Sequence, residues 1–487
     1  MPDLDSESLY RALLAKDTRF DGRFFVGVAT TGVYCRPVCQ ARKPLAVNCS
    51  FYATAAEAEQ AGFRPCLLCR PELAPGYAPV DSSASLARAA ARYIERNCGV
   101  QGSLTDIARH LGCSNRHLRR VFEDAYHVRP VEYRQTCRLL LAKSLLTDTD
   151  LSVVDVAYAA GFGSLRRFNE VFRRRYRLTP TALRSQARLN RADGDTVQLS
   201  LGYRPPYRWD LILKFLARRA IPGVEKVEDD RYARTIRLRS SGRDLTGWVA
   251  VGNDSEHNRL AVTVSASLLS ALPVVLDGIK NLFDLHCEPD TVAGALTSMD
   301  DSTLGPFIPG TRVPGCFDAF ETAVLAVLGQ QVTVQAARTL AGRLVQALGS
   351  PVDTGIDALT TTFPTVQELL NLDGAIEQHL GPLGIIAARA RAIHGLAAMM
   401  SSGIIDASCC PDPEAAVTRF MEIPGIGTWT ANYIAMRCLA WPDAFLATDL
   451  EVRKALRTPP RGKILTLAEC WKPWRAYAVM HLWNRAE

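Results

Sequence analysis

Cys35 and Cys39 form a Cys-x3-Cys pair, Cys66 and Cys69 form a Cys-x2-Cys pair, and 26 residues separate the two pairs. No other spacing in the chain restricts its folding so strongly. Two thiolates on a short loop reach one side of a tetrahedral ion, and the intervening segment has only to return the second pair to the same point. The grouping asks for one zinc ion held by Cys35, Cys39, Cys66 and Cys69. Arg36, Arg42, Arg64 and Arg70 flank the sulfurs. Two uses of such a site compete. As a staple, the ion holds together a domain of about 80 residues whose own core would be marginal. As a reactive centre, four thiolates on zinc leave a net charge of about −2, so a sulfur stays deprotonated and can attack a soft electrophile such as a methyl group.

The surrounding residues, "FVGVATTGVYCRPVC" and "VNCSFYATAAEAEQAGFRPCLLCRPE", give residues 1–80 a resemblance to the amino-terminal domain of Ada-type alkylation-response proteins. In that family the first of the four cysteines accepts a methyl group from a methylphosphotriester in damaged DNA. The resemblance therefore implies Cys35 as acceptor and Cys39, Cys66 and Cys69 as the remaining ligands. Methylating one thiolate makes the cluster less negative, which lowers repulsion from DNA phosphates and turns damage into a binding signal.

A chain of 487 residues with 48% hydrophobic composition is long enough for several real cores; at roughly 150 residues per domain, about three are expected. Of its fourteen cysteines, ten lie outside the cluster and show no paired framework, which suits a reducing compartment. The start "MPDLDSESLY" has no basic region followed by an apolar run, so no secretory signal is expected. The longest uncharged stretch, Leu260 to Leu276, contains Pro273 and four Ser/Thr residues and reads as strands and a turn, not a membrane span. A cytosolic protein with no membrane partner is therefore expected, and the Ada-type resemblance implies a bacterial, nucleoid-associated setting.

The basic residues are unevenly spread. Between Ala84 and Arg188 there are 19 Lys/Arg against 9 Asp/Glu, and the rest of the chain carries 38 against 41. A charge run is often only a solvated helix face, so the pattern decides. "LTDIARHLGCSNRHLRRVFEDAY" has an apolar face through Leu104, Ile107, Ala108 and Leu111, a turn at Gly112, a cap at Ser114 and a second helix showing Asn115, Arg116, His117, Arg119 and Arg120. About fifty residues on, "LSVVDVAYAAGFGSLRRFNEVFRRRYRLTP" repeats the plan. Its apolar face runs through Val153, Val156, Ala157 and Ala160, the turn spans Gly161 to Ser164, and the basic helix carries Arg166, Arg167 and Asn169. Two such units resemble the AraC/XylS-type DNA-binding domain over residues 84–190, in which two recognition helices enter successive major grooves. The resemblance implies promoter DNA as a partner, with RNA polymerase as the activator's target.

After a polar connector, "LNRADGDTVQ", strand-like segments at Tyr232 to Leu238, Thr246 to Val251 and Arg259 to Val264 outline a small α/β module over 195–272. Helical sequence follows over 273–487. There "FMEIPGIGTWTANYIAMRCLAW" holds Pro424-Gly425-Ile426-Gly427 between two apolar helical stretches, a helix-hairpin-helix signature whose glycines let the backbone approach a phosphate. Asp449 lies 22 residues beyond Gly427, at the start of a helix. Alone it reads as an N-cap. With the hairpin, "FDAFETAVLAVLGQQVTVQAARTLAGRLV" and "WKPWRAYAVMHLW", the stretch from Gly202 onward resembles the AlkA-type 3-methyladenine DNA glycosylases, and the position becomes that of a catalytic carboxylate. The whole is a multidomain chain, mainly α with α+β parts.

The resemblance implies excision of alkylated purines of the 3-methyladenine and 7-methylguanine type. Such a base is cationic and leaves readily, so a carboxylate at Asp449 has only to stabilise the sugar cation and direct water to it. The flipped base would stack on Trp429, Tyr433 and Trp483, at about 0.5–2 kcal/mol per ring; Tyr433, one turn from Trp429, also reads as a core residue. Trp429 stands where backbone-cleaving relatives place a Schiff-base lysine, so a monofunctional enzyme is expected. Only Cys470 follows Asp449, which excludes the iron-sulfur cluster of some relatives. A monovalent cation at the hairpin is compatible with the family. Gln331 replaces the apolar wedge of some members, Leu450 replaces an aromatic after the catalytic Asp, and Pro459, Pro460 and Gly462 sit close behind the Asp449 helix. No Pro-Cys-His-Arg motif occurs, so repair of methylated guanine oxygen is not expected. Two other readings remain open: a regulator whose glycosylase-like domain only binds DNA, and a glycosylase whose zinc is purely structural.

Overall fold

The structure is a computed structural model. It describes residues 6–16, 24–39, 41–52, 55–69, 71, 79–99, 103–186, 196–240, 243–300, 304–402, 410, 412–457 and 461–486. Arg70, the connector over 189–195, Pro459 and Pro460 lie outside them. Contacts divide the chain into two compact units, residues 1–92 with 102–133, and residues 93–101 with 134–487.

The first unit opens with a helix, Ser6–Ala15, against a four-stranded sheet of β1 (Phe25–Val28), β2 (Val33–Cys35), β3 (Cys49–Tyr52) and β4 (Arg64–Pro65) in the order β3-β1-β2-β4. Its core is small: Leu9, Leu13, Phe24, Val26 and Val28, so a cross-link has much to add. β2 and β4 run parallel, with Tyr34 beside Pro65. Cys35 ends β2 and Cys66 follows β4, so the parallel pairing itself sets the two half-sites side by side. The Cys66 amide donating to the Tyr34 carbonyl at 3.0 Å fixes that register.

The first helix-turn-helix follows the sequence reading. Ser103 and Asp106 form a capping box before helix Leu104–His110, and Ser114 accepts from the His117 amide to cap Asn115–Tyr126. Gly112 turns the chain at φ +63°, a conformation that costs a residue with a Cβ. In the second unit the plan recurs in Val153–Ala159 and Leu165–Tyr176, capped by Ser152 and Ser164. Here Gly161 is irreplaceable for space as well, because a Cβ would stand 2.7 Å from the Cys98 carbonyl oxygen.

The α/β module is an antiparallel sheet of β5 (Thr196–Gly202), β6 (Glu225–Glu228), β7 (Arg231–Ser240), β8 (Arg243–Asp254) and β9 (Arg259–Ser265), ordered β5-β9-β8-β7-β6. All three expected strands are present. Alternation along β5 and β9 turns Val197, Leu199, Leu260, Val262 and Val264 inward. The stretch Leu260 to Leu276 differs from the strand-and-turn expectation. Its first part is strand β9, then 3-10 turns cover Ala266–Ala271 and a helix, Leu272–Leu282, begins with Pro273 in its first turn. Proline is harmless there, since a first-turn amide has no intrahelical acceptor. Among the described residues no helix is long and apolar enough to cross a membrane.

The sheet is locked to the helical part by buried charge. Arg234 of β7 pairs with Glu321 at 2.6 Å, both side chains 4% exposed, and Arg237 reaches Glu368 at 2.7 Å. The helix Trp209–Arg219, apolar through Ile212, Leu213, Phe215 and Leu216, therefore has a fixed seat beside the helices that follow.

Candidate active site and metal centre

The Sγ atoms of Cys35, Cys39, Cys66 and Cys69 all lie within 4.8 Å of one another, and all four residues are buried. Tetrahedral zinc with bonds of about 2.3 Å separates its sulfurs by about 3.8 Å, so the group fits one ion. The electrostatics ask for the same cation. Hydrogen bonds from Cys35 and then Cys69 pull the Cys39 thiol down to about 2. The Cys35 thiol, bonded to Cys39 and Cys69 and buried, is pushed far up. Four buried, mutually hydrogen-bonded thiols cannot all ionise unaided; a dication removes that limit.

The four sulfurs are not equivalent. The Arg36 amide donates to Cys69 Sγ and the Ala41 amide to Cys39 Sγ, each at 3.5 Å. Among the described residues no amide reaches Cys35 or Cys66. Those two are also the more exposed, at 7% and 8% against 3% and 0%. An N–H donor withdraws charge from sulfur, so nucleophilicity concentrates on Cys35 and Cys66. Of the flanking arginines, Arg36 is buried, whereas Arg42 and Arg64 are exposed.

On helix Asn115–Tyr126, the second of the first helix-turn-helix, Asn115, Arg116, Arg119 and Arg120 are exposed. Asn115 donates to Thr105 at 3.0 Å, and Arg120 lies 3.3 Å from the His117 ring. On helix Leu165–Tyr176 of the second unit, Arg166, Arg167 and Asn169 are exposed, and Arg167 pairs with Glu170 at 3.3 Å. The buried faces of both helices carry Leu118, Val121 and Phe122, or Phe168, Val171 and Phe172.

The hairpin lies between helices Pro413–Met421 and Thr428–Cys438. Gly425 adopts φ +93°, and Gly427 is the N-cap of the second helix, where it brings no side chain to cover the first amides. The loop before helix Val334–Leu348 is pinned to this hairpin, because Gln330 Nε2 donates to the Gly425 carbonyl and the Thr430 hydroxyl at 2.9 Å each. Arg389 donates in turn to the Gln330 carbonyl. Gln331 is exposed beside it at φ +52°, a strained setting for a residue with a Cβ.

Asp449 caps helix Leu450–Ala455, its Oδ1 accepting from the Glu451 and Val452 amides at 3.0 Å. The N-cap reading is thus correct, but it uses part of one oxygen. Oδ1 also accepts from Trp483 Nε1 at 2.9 Å, and Oδ2 accepts from Trp429 Nε1 at 3.0 Å. Four donors fix the carboxylate on a rigid helix end while it remains partly exposed. Trp429 stacks on Tyr433 with ring centres 5.1 Å apart and 16° between planes, and Tyr433 lies 6.4 Å from Trp483. Four of the residues expected at this site therefore meet as one aromatic cluster around one carboxylate. Leu450 is 62% exposed at its rim.

Three further residues that sequence reasoning missed pack against these aromatics. Phe215 stacks on Trp483 at 6.2 Å and 17°. Arg219, one turn on, lies 3.7 Å over the Phe215 ring and 6.0 Å from Trp483. Arg437 is buried behind Tyr433, donating to its hydroxyl at 2.7 Å and to the Gly315 carbonyl at 2.7 and 3.1 Å. An arginine on the apolar face of an amphipathic helix was the available signal for Arg219.

Four family models match in order along the chain: the metal binding domain of Ada over 8–72, a helix-turn-helix domain over 107–186, the AlkA N-terminal domain over 198–318 and the HhH-GPD superfamily base excision DNA repair protein over 324–475. A Mycobacterium tuberculosis protein described as a probable bifunctional transcriptional activator/DNA repair enzyme AlkA is 38% identical over 99% of this chain and 97% of its own length. DNA-3-methyladenine glycosylase 2 of Escherichia coli is 38% identical over 58% of this chain and 96% of its own. The bifunctional transcriptional activator/DNA repair enzyme Ada of Escherichia coli is 35% identical over 33% of this chain and 43% of its own.

Proposed function

Because the chain belongs to the family of bifunctional transcriptional activator/DNA repair enzymes of the AlkA kind, we propose that it senses methylated DNA through Cys35, binds promoter DNA, and hydrolyses alkylated purines from DNA at Asp449. The observation that carries this reading is the carboxylate clamped by two indoles inside an aromatic pocket. A domain kept only for binding DNA has no use for an anion so placed.

In the glycosylase, the hairpin amides after Gly427 hold a phosphate and Gln331 stands next to the duplex. The extruded base enters among Trp429, Tyr433, Trp483 and Phe215, whose electron-rich faces suit a cationic purine. As the C1′–N bond breaks, its electron pair neutralises the base, and positive charge appears on the sugar. Asp449 stabilises that charge and orients the water that adds to C1′ and releases its proton. No lysine stands in the Trp429 position, so strand cleavage does not follow.

In the sensor, Cys35 Sγ attacks the methyl carbon of a methylphosphotriester. The sulfur–carbon bond forms as the carbon–oxygen bond breaks, and the phosphodiester leaves with the electron pair. Zinc held by the four cysteines supplies the charge that keeps the thiolates deprotonated. The exposed faces at Arg116, Arg119, Arg120, Arg166, Arg167 and Asn169 then read an operator, with RNA polymerase as the target of activation and the cytoplasmic nucleoid as the setting. The testing experiment is release of methylated purines from alkylated duplex DNA by the intact chain and by Asp449→Asn.

A further inference from the structure

Arg437 stands in the last turn of helix Thr428–Cys438, where a basic side chain ordinarily faces solvent and complements the helix dipole. Here it is buried. Its guanidinium donates to the Tyr433 hydroxyl, one turn back on the same helix, and through two N–H groups to the Gly315 carbonyl. The rings of Phe215 and Tyr433 lie 4.9 and 5.6 Å from it. Among the described residues no carboxylate comes within ion-pair distance of this guanidinium. Burying a charge without a counter-ion is costly, and an apolar side chain would fill the same space without that cost. Packing alone therefore does not account for an arginine here, and its two acceptors have to.

Both acceptors matter to the site. The Gly315 carbonyl is fixed in place, because the Gly315 amide donates to the Leu282 carbonyl at 3.2 Å and Asn281 Nδ2 donates to the neighbouring Cys316 carbonyl at 2.7 Å. A Cβ at Gly315 would stand 2.3 Å from the Asn281 carbonyl oxygen, so the loop is pressed directly onto the end of helix Leu272–Leu282. At the other acceptor, the Tyr433 ring is held by its hydroxyl while its face stacks on Trp429. Trp429 Nε1 in turn donates to Asp449 Oδ2. Direct contacts thus run from an immobile carbonyl through Arg437, Tyr433 and Trp429 to the carboxylate.

We propose that Arg437 is a positioning residue for base excision, tying the Tyr433 hydroxyl to the Gly315 carbonyl and so holding the Trp429 indole in register with Asp449. A Tyr433 ring released at its hydroxyl end can tilt, the indole stacked on it follows, and its N–H turns away from Oδ2. The carboxylate then meets the developing sugar cation out of alignment, a loss felt in the chemical step and not in affinity for DNA. The rigid fork of a guanidinium spans both acceptors at once, which the single point of an ammonium group does less well. The inference rests on the glycosylase reading above.

The test is a double-substitution cycle in the full chain, with Arg437→Met, Tyr433→Phe and both together, read as single-turnover release of 7-methylguanine at saturating enzyme. Rate constants, unlike amplitudes, do not depend on the folded fraction, and Arg437→Lys closes the same cycle if methionine at this position folds poorly. Arg219 also lies beside the Tyr433 hydroxyl, so the coupling, and not Tyr433→Phe alone, isolates Arg437. Each single substitution should slow release about tenfold, and Arg437→Met should cost no more than about twofold once the hydroxyl is gone. Arg437→Lys should fall between Arg437→Met and the wild type, with affinity for the duplex unchanged throughout. Losses that simply multiply in the double variant, or a Tyr433→Phe chain as fast as the wild type, would overturn the proposal. A wild-type chain that releases no base would instead remove the glycosylase reading itself.

Discussion

The two indoles that hold Asp449 are not interchangeable, and replacing each by phenylalanine separates them. Trp429→Phe and Trp483→Phe each keep an aromatic face for the base and delete one N–H. Among the described residues Oδ2 accepts from Trp429 alone, at 3.0 Å, whereas Oδ1 keeps the Glu451 and Val452 amides at 3.0 Å when the 2.9 Å bond from Trp483 is lost. A hydrogen bond to a charged group contributes about 1.5–3 kcal/mol, so leaving Oδ2 without a protein donor should slow base release roughly 10- to 150-fold. Removing one of three donors to Oδ1 should cost about 0.5–1.5 kcal/mol, or roughly 2- to 12-fold. The assay is single-turnover release of 7-methylguanine at saturating enzyme, where the rate constant reports the chemical step and not affinity. A Trp483→Phe defect equal to or larger than that of Trp429→Phe would refute the reasoning, because it would mean that ring contact with the base, not alignment of the carboxylate, governs the rate.

Three other outcomes follow from the geometry. Cys35→Ser should abolish stoichiometric uptake of labelled methyl groups from methylphosphotriester DNA; persistence of uptake would move the acceptor to Cys66, the other sulfur that no amide among the described residues reaches. Arg166→Ala should weaken operator binding and reduce the slope of log K against log salt by about 1 if this exposed side chain meets a phosphate, or relax sequence preference at an unchanged slope if it meets a base. Asp284 is partly buried, and desolvation pushes its carboxyl up to about 6 despite the Val313 amide and the Tyr477 hydroxyl that donate to it. The folded state thus binds more protons than the unfolded state between pH 4 and 6, and stability is lost as pH rises through that window. Denaturant unfolding should show Asp284→Asn gaining on the wild type by about 3 kcal/mol between pH 4 and pH 8, and a constant difference would contradict it.

Much of the functional architecture could be read in the sequence because it is locally encoded. The cysteine spacing, the two capped helix pairs around Gly112 and Gly161, and the PGIG hairpin are each contiguous or nearly so, and their chemistry is carried by the residue types themselves. Asp449, Trp429, Tyr433 and Trp483 span 55 residues and meet in space; a family resemblance brought them together, which spacing alone could not have done. Phe215 and Arg219 were missed for a physical reason. They are one turn apart on a helix whose apolar face looks like any packed face, and their partner Trp483 lies some 260 residues away. The α/β module gave no hint of chemistry because its contribution depends on how the Arg234–Glu321 pair and the shared core seat it, a long-range register that no local pattern specifies. The inequivalence of the four sulfurs was equally invisible, since it rests on which backbone amides point at them. Helix Leu450–Ala455 forms intact, so the glycine and prolines that follow do not dislodge Asp449 from its cap.

The most direct test of the account is base release from alkylated duplex DNA by the intact chain beside Asp449→Asn. The substitution leaves one acceptor oxygen for the cap and turns an amide donor toward an indole N–H. The wild-type chain should release 3-methyladenine and 7-methylguanine without cutting the strand, and the variant should bind the same DNA but release neither base at a comparable rate. Release by the variant as fast as by the wild type, or none from the wild type on DNA that it binds, would contradict it.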